Sequence, residues 1–354
     1  MTKHDPITGR YVYLTVEGIE YRVYYEEAGQ GIPLIVGHTA GSDGRQYRHV
    51  LCDQEVTKNF RVIAPDLPYH GKSLPPYGVR WWEQEYNMTK SRMMAFPNAL
   101  SDALGLERPV YMGSSMGGHL AVDLASNYPD RYRATIAVEG ALRSAVEYVE
   151  VGMAGIRKEF DNPNVNRTSI GAAMALNISP YSPEENVREI QWEYSCGGPG
   201  IFAGDLYYYY YDHNMSDKEA AAIDTSKCML YMLTGEYDPN TSPKETQALA
   251  DLVKGSKFWA MKTLGHFPVT ENYPEFRKYL LPILEEIRQQ KSDSPPILEE
   301  ILEEKLGPLP ISEEVRQEKL GPLSISEEVQ QEGLGPLPIS EDVRQEKLGE
   351  GGRA

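Results

Sequence analysis

Along most of the chain, short apolar runs alternate with amphipathic stretches and polar turns. Residues 11–16 and 21–26 mix aromatic and β-branched side chains with polar ones around the turn Glu17 and Gly18. That pattern predicts a pair of strands with one face on a sheet surface. Runs at 32–36, 60–65, 110–112, 134–138, 227–233 and 257–261 are short and mostly apolar, as strands buried on both faces are. Helical stretches are predicted at 45–52, 87–104 with a kink at Pro97, 119–127, 243–253 and 273–289. Buried strands alternating with helices predict an α/β fold, a mostly parallel central sheet covered by helices on both faces.

Residues 143–224 break the alternation. They hold helical fragments, turn clusters such as Asn162-Pro163-Asn164 and Gly197-Gly198-Pro199-Gly200, and many aromatics, but no clear buried strand. We read them as a mainly helical lid inserted over the carboxyl edge of the sheet, with residues 1–142 and 225–290 forming the core. Most of the lid aromatics are expected to pack among themselves. Trp192, Phe202 and Tyr207 are candidates to line a pocket, because such side chains combine an apolar body with, in Trp and Tyr, a polar handle.

Residues 291–354 follow another rule. From Pro308 a fourteen-residue unit recurs at 308–321, 322–335 and 336–349, with a shortened copy at 296–307. In the first full copy Ser312 is placed as an N-cap and Gly321 as a C-cap, and Ile311, Val315 and Leu320 form one narrow apolar stripe. Helices of two turns are marginal alone. The expectation is a solvated, partly helical acidic tail; a docking or assembly array is the sharper alternative.

Charge and composition narrow the function classes. A net charge of −17 argues against nucleic acid and anionic membrane surfaces as partners. No run of about 18 apolar residues is present, so no span of a bilayer is expected. The first residues lack an apolar signal core, and the three widely spaced cysteines, Cys52, Cys196 and Cys228, suit a reducing compartment. An intracellular, cytoplasmic location is expected.

The chemistry centres on Gly113-Ser114-Ser115-Met116-Gly117-Gly118. An apolar strand, Gly-x-Ser-x-Gly and a helix make the context of a nucleophile elbow, which projects Ser115 from the strand's carboxyl end. A serine nucleophile needs a base and a carboxylate that orients the base. Asp238 follows the strand at 227–233 and His266 follows the strand at 257–261, so the order is Ser, Asp, His. Glu139, after the strand at 134–138, is the alternative acid, and Ser114 is the rival hydroxyl. His213 falls in the lid and reads as a surface or structural residue. The oxyanion of an acyl intermediate needs two preset donors. The backbone N–H of Met116 is one, and the loop 37–41 should provide the other.

These residues carry a family resemblance. The chain from about 11 to 289 resembles the α/β-hydrolase superfamily in its Gly-Ser-Ser-Met-Gly-Gly elbow, in Asp66 with His70-Gly71-Lys72-Ser73, in Gly235-Glu236-Tyr237-Asp238 and in Gly265-His266-Phe267. In that family the second oxyanion donor follows a His-Gly pair. Here the pair is His38-Thr39, so the resemblance implies Ala40 as donor, with His38 and Thr39 beside the pocket. The segment 197–207 resembles a subgroup found in fungal secondary-metabolite clusters, among them hydrolases linked to Alternaria epoxy-decatrienoate toxins. That group is associated with peroxisomes, although the chain's Gly-Gly-Arg-Ala terminus is unlike the usual Ser-Lys-Leu address. The expectation is a serine hydrolase of a small-molecule ester or thioester, with no cofactor and no metal. An acyltransferase with the same triad and a non-catalytic scaffold with a docking tail are the alternatives.

Overall fold

The computed structural model describes residues 4–144 and 149–290. The predicted repeats of the tail lie outside the described residues. Eight strands form one sheet: β1 (Thr8–Val16), β2 (Ile19–Ala28), β3 (Ile32–Gly37), β4 (Phe60–Pro65), β5 (Val110–Ser114), β6 (Ala134–Val138), β7 (Met229–Gly235) and β8 (Lys257–Met261). Their order is β1-β2-β4-β3-β5-β6-β7-β8. The β1–β2 and β2–β4 pairs are antiparallel and the remaining pairs are parallel.

Alternate residues of the central strands feed two separate cores, as the period of a strand requires. Leu34, Val36, Tyr231 and Leu233 pack with Phe276, Leu280 and Ile283 of the helix Tyr273–Gln289. Ile35, Tyr111, Leu230 and Met232 face the other side, toward Met93 and Phe96 of the helix Lys90–Ala103 and Leu120 and Leu124 of the helix Met116–Asn127. Burial on both faces explains why these strands read as continuous apolar runs.

Element boundaries shift where side chains take over from backbone periodicity. The helix expected from residue 87 begins at Lys90, because the Thr89 hydroxyl accepts the Arg92 N–H as an N-cap. The stretch expected at 45–52 divides into a 3-10 turn, Gly44–Tyr47, and a short helix, Arg48–Cys52, with Asp43 capping the turn.

Between β6 and β7 lie the helices Val149–Phe160, Pro163–Ala175, Glu184–Ser195 and Ile201–Tyr207, a π-helical turn at Tyr208–Asp212 and a short helix Asp217–Ala221. This mainly helical insertion is bonded to the loops at the carboxyl edge of the sheet. Asn177 accepts the His266 backbone N–H at 2.9 Å, and Gly204 accepts that of Met88 at 3.0 Å. Among the described residues, no helix is long and apolar enough to cross a membrane.

Candidate active site

Parallel pairing levels the carboxyl ends of neighbouring strands. Gly37 pairs with Gly113, Ser114 with Val138, Val138 with Leu233 and Gly235 with Met261. The loops that leave these residues therefore meet at one edge, which is where open parallel sheets hold their ligands.

Ser115 sits at the turn between β5 and the helix Met116–Asn127, with φ 56° and ψ −113°. Non-glycine residues rarely adopt this conformation, and surrounding contacts must hold it. Its N–H donates to the Val138 carbonyl at 2.9 Å. The tight turn also explains the flanking glycines. A Cβ on Gly113 would lie 2.2 Å from the Gly117 carbonyl oxygen, and one on Gly117 would lie 2.4 Å from that of Gly37.

The three residues named from the sequence meet here. Ser115 Oγ lies 2.8 Å from His266 Nε2, and His266 Nδ1 lies 2.8 Å from Asp238 Oδ2. The other carboxylate oxygen of Asp238 accepts the backbone N–H groups of Asn240 at 2.7 Å and Thr241 at 3.1 Å. Burial alone would raise the Asp238 pKa. The charge and hydrogen bond of His266, a hydrogen bond from Glu139 and the Asn240 N–H together bring it below the usual carboxylate range.

Glu139, the alternative acid, lies beside this line. It is fully buried and accepts the Gly235 N–H. Burial, and then the charge of Asp238, push its pKa well above the ordinary value, so it holds a proton that it can donate to Asp238. Asp238 thus faces the imidazole as a carboxylate and Glu139 backs it as a neutral acid. Donor atoms of Glu139, Asp238 and His266 converge within 4.8 Å, but those of Asp238 and His266 are engaged with one another and with Ser115.

The loop bearing His266 is pinned from below by Glu271. This buried carboxylate accepts the Gly265 N–H and, at 3.1 Å, the Ser179 N–H. Burial raises the Glu271 pKa to about 7 against the lowering effect of those two bonds.

A cavity of about 240 Å³ opens onto Ser115 and His266. Ala40 borders it from the core, and Ile156, Phe160, Met174, Phe202 and Leu206 wall it from the insertion. Tyr194, Tyr209, Tyr210, Asn177 and Asn240 add polar points. Met116 opens its helix, so its N–H has no acceptor within the helix.

The other expected pocket residues are distributed differently. Phe202 lines the cavity and meets Phe160 edge-on at 5.5 Å. Trp192 does not: it is 58% exposed and lies 4.9 Å from the Arg45 guanidinium. The buried face of its helix is formed by Ile190, Glu193 and Tyr194, which leaves Trp192 on the solvent side. Tyr207 is also outside the lining and packs on Tyr211 at 5.4 Å. Helical spacing explains the division, since Phe202, Leu206, Tyr209 and Tyr210 share one face and Tyr207 and Tyr211 another.

His38 and Thr39 brace the loop rather than line the cavity. His38 Nδ1 donates to the Thr39 carbonyl at 2.9 Å, and Nε2 accepts the Leu67 N–H at 3.1 Å. Burial, with the charge of His70, lowers the His38 pKa to about 4, in keeping with a neutral ring. The Thr39 hydroxyl bonds Tyr194, and its N–H donates to Gln46 at 3.0 Å. His213 is not a surface residue. It is 1% exposed, with Nδ1 2.9 Å from Asp123 and Nε2 2.8 Å from the Ala141 carbonyl. Sequence reading missed Phe160 and Met174 as cavity walls and Asp205 as a loop anchor, because no local pattern marks them.

Comparison with known proteins follows the same lines. A family model described as alpha/beta hydrolase fold matches residues 32–273. A 2-hydroxy-6-oxononadienedioate/2-hydroxy-6-oxononatrienedioate hydrolase of Burkholderia vietnamiensis is 31% identical over 158 residues, which is 43% of this chain and 52% of the relative. A 2-hydroxy-6-oxo-6-phenylhexa-2,4-dienoate hydrolase of Comamonas testosteroni is 30% identical over 145 residues, 40% of this chain and 48% of its own length. The chain thus spans about half the length of the curated relatives it matches. Among solved structures, a thermophilic esterase from Thermogutta terrifontis aligns with a TM-score of 0.66 and 23% identity, over 79% of this chain and 99% of the esterase. The enol-lactonase from Burkholderia xenovorans aligns with a TM-score of 0.63 and 20% identity, over 77% and 100%.

Proposed function

The chain belongs to the alpha/beta hydrolase family, and from that premise we propose that it is a serine hydrolase of a small organic ester or thioester. The observation that carries the reading is the unbroken hydrogen-bonded line from Ser115 through His266 to Asp238, with both contacts at 2.8 Å. Ser115 Oγ attacks the carbonyl carbon as His266 Nε2 takes its proton, which the oriented imidazole is placed to do. Negative charge collects on the carbonyl oxygen, where the N–H groups of Met116 and Ala40 receive it. His266 then passes the proton to the leaving alcohol or thiol and the acyl-enzyme forms. Water, activated by the same imidazole, attacks the acyl carbon and releases the acid and the serine. Asp238 holds the ring in the tautomer whose Nε2 is free to accept, and it offsets the imidazolium charge.

The cavity supports the size and character of the substrate. Its volume of about 240 Å³ is below the usual range for drug-sized ligands, and its walls are mainly aliphatic and aromatic. Relatives named as 2-hydroxy-6-oxo-dienoate hydrolases support hydrolysis of a small carbonyl compound, and the solved esterase and enol-lactonase support the fold. The likeness of residues 197–207 to hydrolases of fungal toxin clusters supports a polyketide- or fatty-acyl-derived acyl group and a place in secondary metabolism.

Labelling with a fluorophosphonate, together with turnover of p-nitrophenyl esters and acyl-CoA thioesters of graded chain length, tests the reading. We expect one label, on Ser115, and turnover that depends on acyl length. A folded protein that takes no label, or takes it on another residue, would overturn it.

A further inference from the structure

The insertion holds a backbone N–H of the oxyanion loop through a buried carboxylate. Asp205, on the helix Ile201–Tyr207, is wholly buried. Its Oδ2 accepts the Gly41 backbone N–H at 2.8 Å and faces His70 Nε2 at 2.8 Å, and its Oδ1 accepts the Tyr86 hydroxyl at 3.0 Å. The other ring nitrogen of His70 faces the Pro68 carbonyl oxygen at 3.0 Å. A carbonyl oxygen only accepts and a carboxylate only accepts, so both nitrogens of His70 meet acceptors. Only the imidazolium, with a proton on each nitrogen, satisfies both.

The position of the acceptor gives this pair a role. The peptide whose N–H Asp205 holds joins Ala40 to Gly41; the neighbouring peptide carries the N–H of Ala40, a residue that borders the cavity and that the hydrolase reading assigns as an oxyanion donor. Gly41 has φ +72°, and a Cβ there would lie 2.9 Å from the Phe202 ring, so the insertion also packs on the loop directly. Orientation of the Ala40–Gly41 peptide therefore depends on a charge borne by the insertion.

We propose that Asp205 and His70 form a buried carboxylate–imidazolium pair that positions the oxyanion loop, and that loss of the His70 proton disarms the catalytic step. This rests on the serine-hydrolase reading above. Asp205 and His70 are positioning residues, since neither touches the reacting atoms. The groups around His70 favour its charged form. Asp205 faces it from the insertion, Asp43 from the loop after β3 and Asp66 from the loop after β4, while the Tyr86 ring lies 6.4 Å away. The His38 ring, 4.8 Å away, is neutral. Burial pulls the His70 pKa down, but the charge and hydrogen bond of Asp205, the Pro68 carbonyl and Asp43 outweigh it, and the net shift is upward. A raised histidine contributes fully below its unfolded value of about 6.5 and loses that contribution as pH rises through the folded value. The disarming limb is alkaline.

The test measures kcat and KM for a p-nitrophenyl ester from about pH 5 to about pH 10 in the full chain, with His70→Gln and Asp205→Asn. In the wild type, kcat should fall reversibly on the alkaline side with a midpoint above about 6.5, at nearly constant KM. His70→Gln should abolish that limb and lower kcat at neutral pH by about tenfold to hundredfold, the range expected for a misplaced donor. Affinity for a trifluoromethyl ketone, whose serine adduct carries an oxyanion, should fall in parallel with kcat. Asp205→Asn should behave likewise. Tyr86→Phe, which removes one hydrogen bond and no charge, should retain the limb. If the variants at 70 and 205 are insoluble, the wild-type profile decides, and a kcat that is flat up to about pH 10 overturns the proposal. So does a soluble His70→Gln that keeps the alkaline limb or retains full inhibitor affinity. Failure of the wild type to take a fluorophosphonate refutes the hydrolase reading itself; a labelled enzyme without the limb refutes only this inference.

Discussion

Replacement of Asp238 by Asn puts the triad geometry to its sharpest test. The two carboxylate oxygens have unlike partners: Oδ1 accepts two backbone N–H groups, from Asn240 and Thr241, while Oδ2 accepts from His266. An amide must keep its oxygen toward the two donors, because turning its NH₂ there would set N–H against N–H. The NH₂ then faces His266 Nδ1, which must become an acceptor, and the ring's proton moves to Nε2. Nε2 now donates toward Ser115 Oγ and cannot take its proton. By analogy with triads of this type the loss reaches about 10⁴ in kcat, or about 5 kcal/mol at the transition state. Glu139→Gln exchanges one neutral donor and acceptor for another, since Glu139 is already protonated. Its cost should stay near one hydrogen bond, about 1 kcal/mol or a fewfold in kcat. The assay is p-nitrophenyl ester turnover under saturating substrate, with thermal unfolding as a control on both variants. A greater loss in Glu139→Gln than in Asp238→Asn, at matched stability, would refute the assignment and move the orienting acid to the end of β6.

Four further outcomes follow. Ser115→Ala should abolish turnover and labelling, whereas Ser114→Ala should keep kcat within about 1 kcal/mol of wild type, because the buried Ser114 hydroxyl has no hydrogen-bond partner; equal losses in both would contradict the elbow geometry. Glu139 keeps a proton on folding that its unfolded form releases near pH 4.3, so it costs stability as pH rises, by up to about 1.4 kcal/mol per unit until its folded pKa is reached. The melting temperature of Glu139→Gln relative to wild type should therefore improve from pH 5 to pH 8, and a constant difference would show that Glu139 is ionised in the folded protein. Gly117→Ala places a Cβ 2.4 Å from the Gly37 carbonyl oxygen; we expect a loss above about 3 kcal/mol in urea unfolding, and a wild-type midpoint would mean that β3 and the elbow are not so close. Truncation after Lys291 removes no residue of the cavity or the triad. Its melting temperature should stay within about 2–4 °C of the full chain, the shift for about 1 kcal/mol, and a drop beyond about 10 °C would make the tail part of the hydrolase architecture.

What the sequence determined by itself is local in its physics. Strands buried on both faces must be apolar throughout, so β3, β5, β6 and β7 are visible as runs. A turn as tight as the one at Ser115 admits only glycine at Gly113 and Gly117, so the elbow is visible as a spacing. A parallel sheet brings every loop after a strand to one edge, so the order Ser115, Asp238, His266 places three distant residues together without knowledge of a single contact. Side-chain environment has no such local signature. Trp192 and Tyr194 are two positions apart on one helix, yet the first meets solvent and Arg45 while the second lines the cavity, because the packing of the whole insertion decides which stripe faces inward. Protonation is decided in the same way. Glu139 and Asp238 are both acids at the ends of adjacent strands, but Asp238 faces His266 and two backbone N–H groups and stays charged, while Glu139 is buried against that charge and stays neutral. His70 and His38 are neighbouring histidines with opposite pKa shifts: burial and the charge of His70 lower that of His38, while at His70 the buried carboxylate of Asp205 leads the interactions that outweigh burial. Electrostatic free energy depends on distance through a low-dielectric interior, and those distances exist only once the chain has folded.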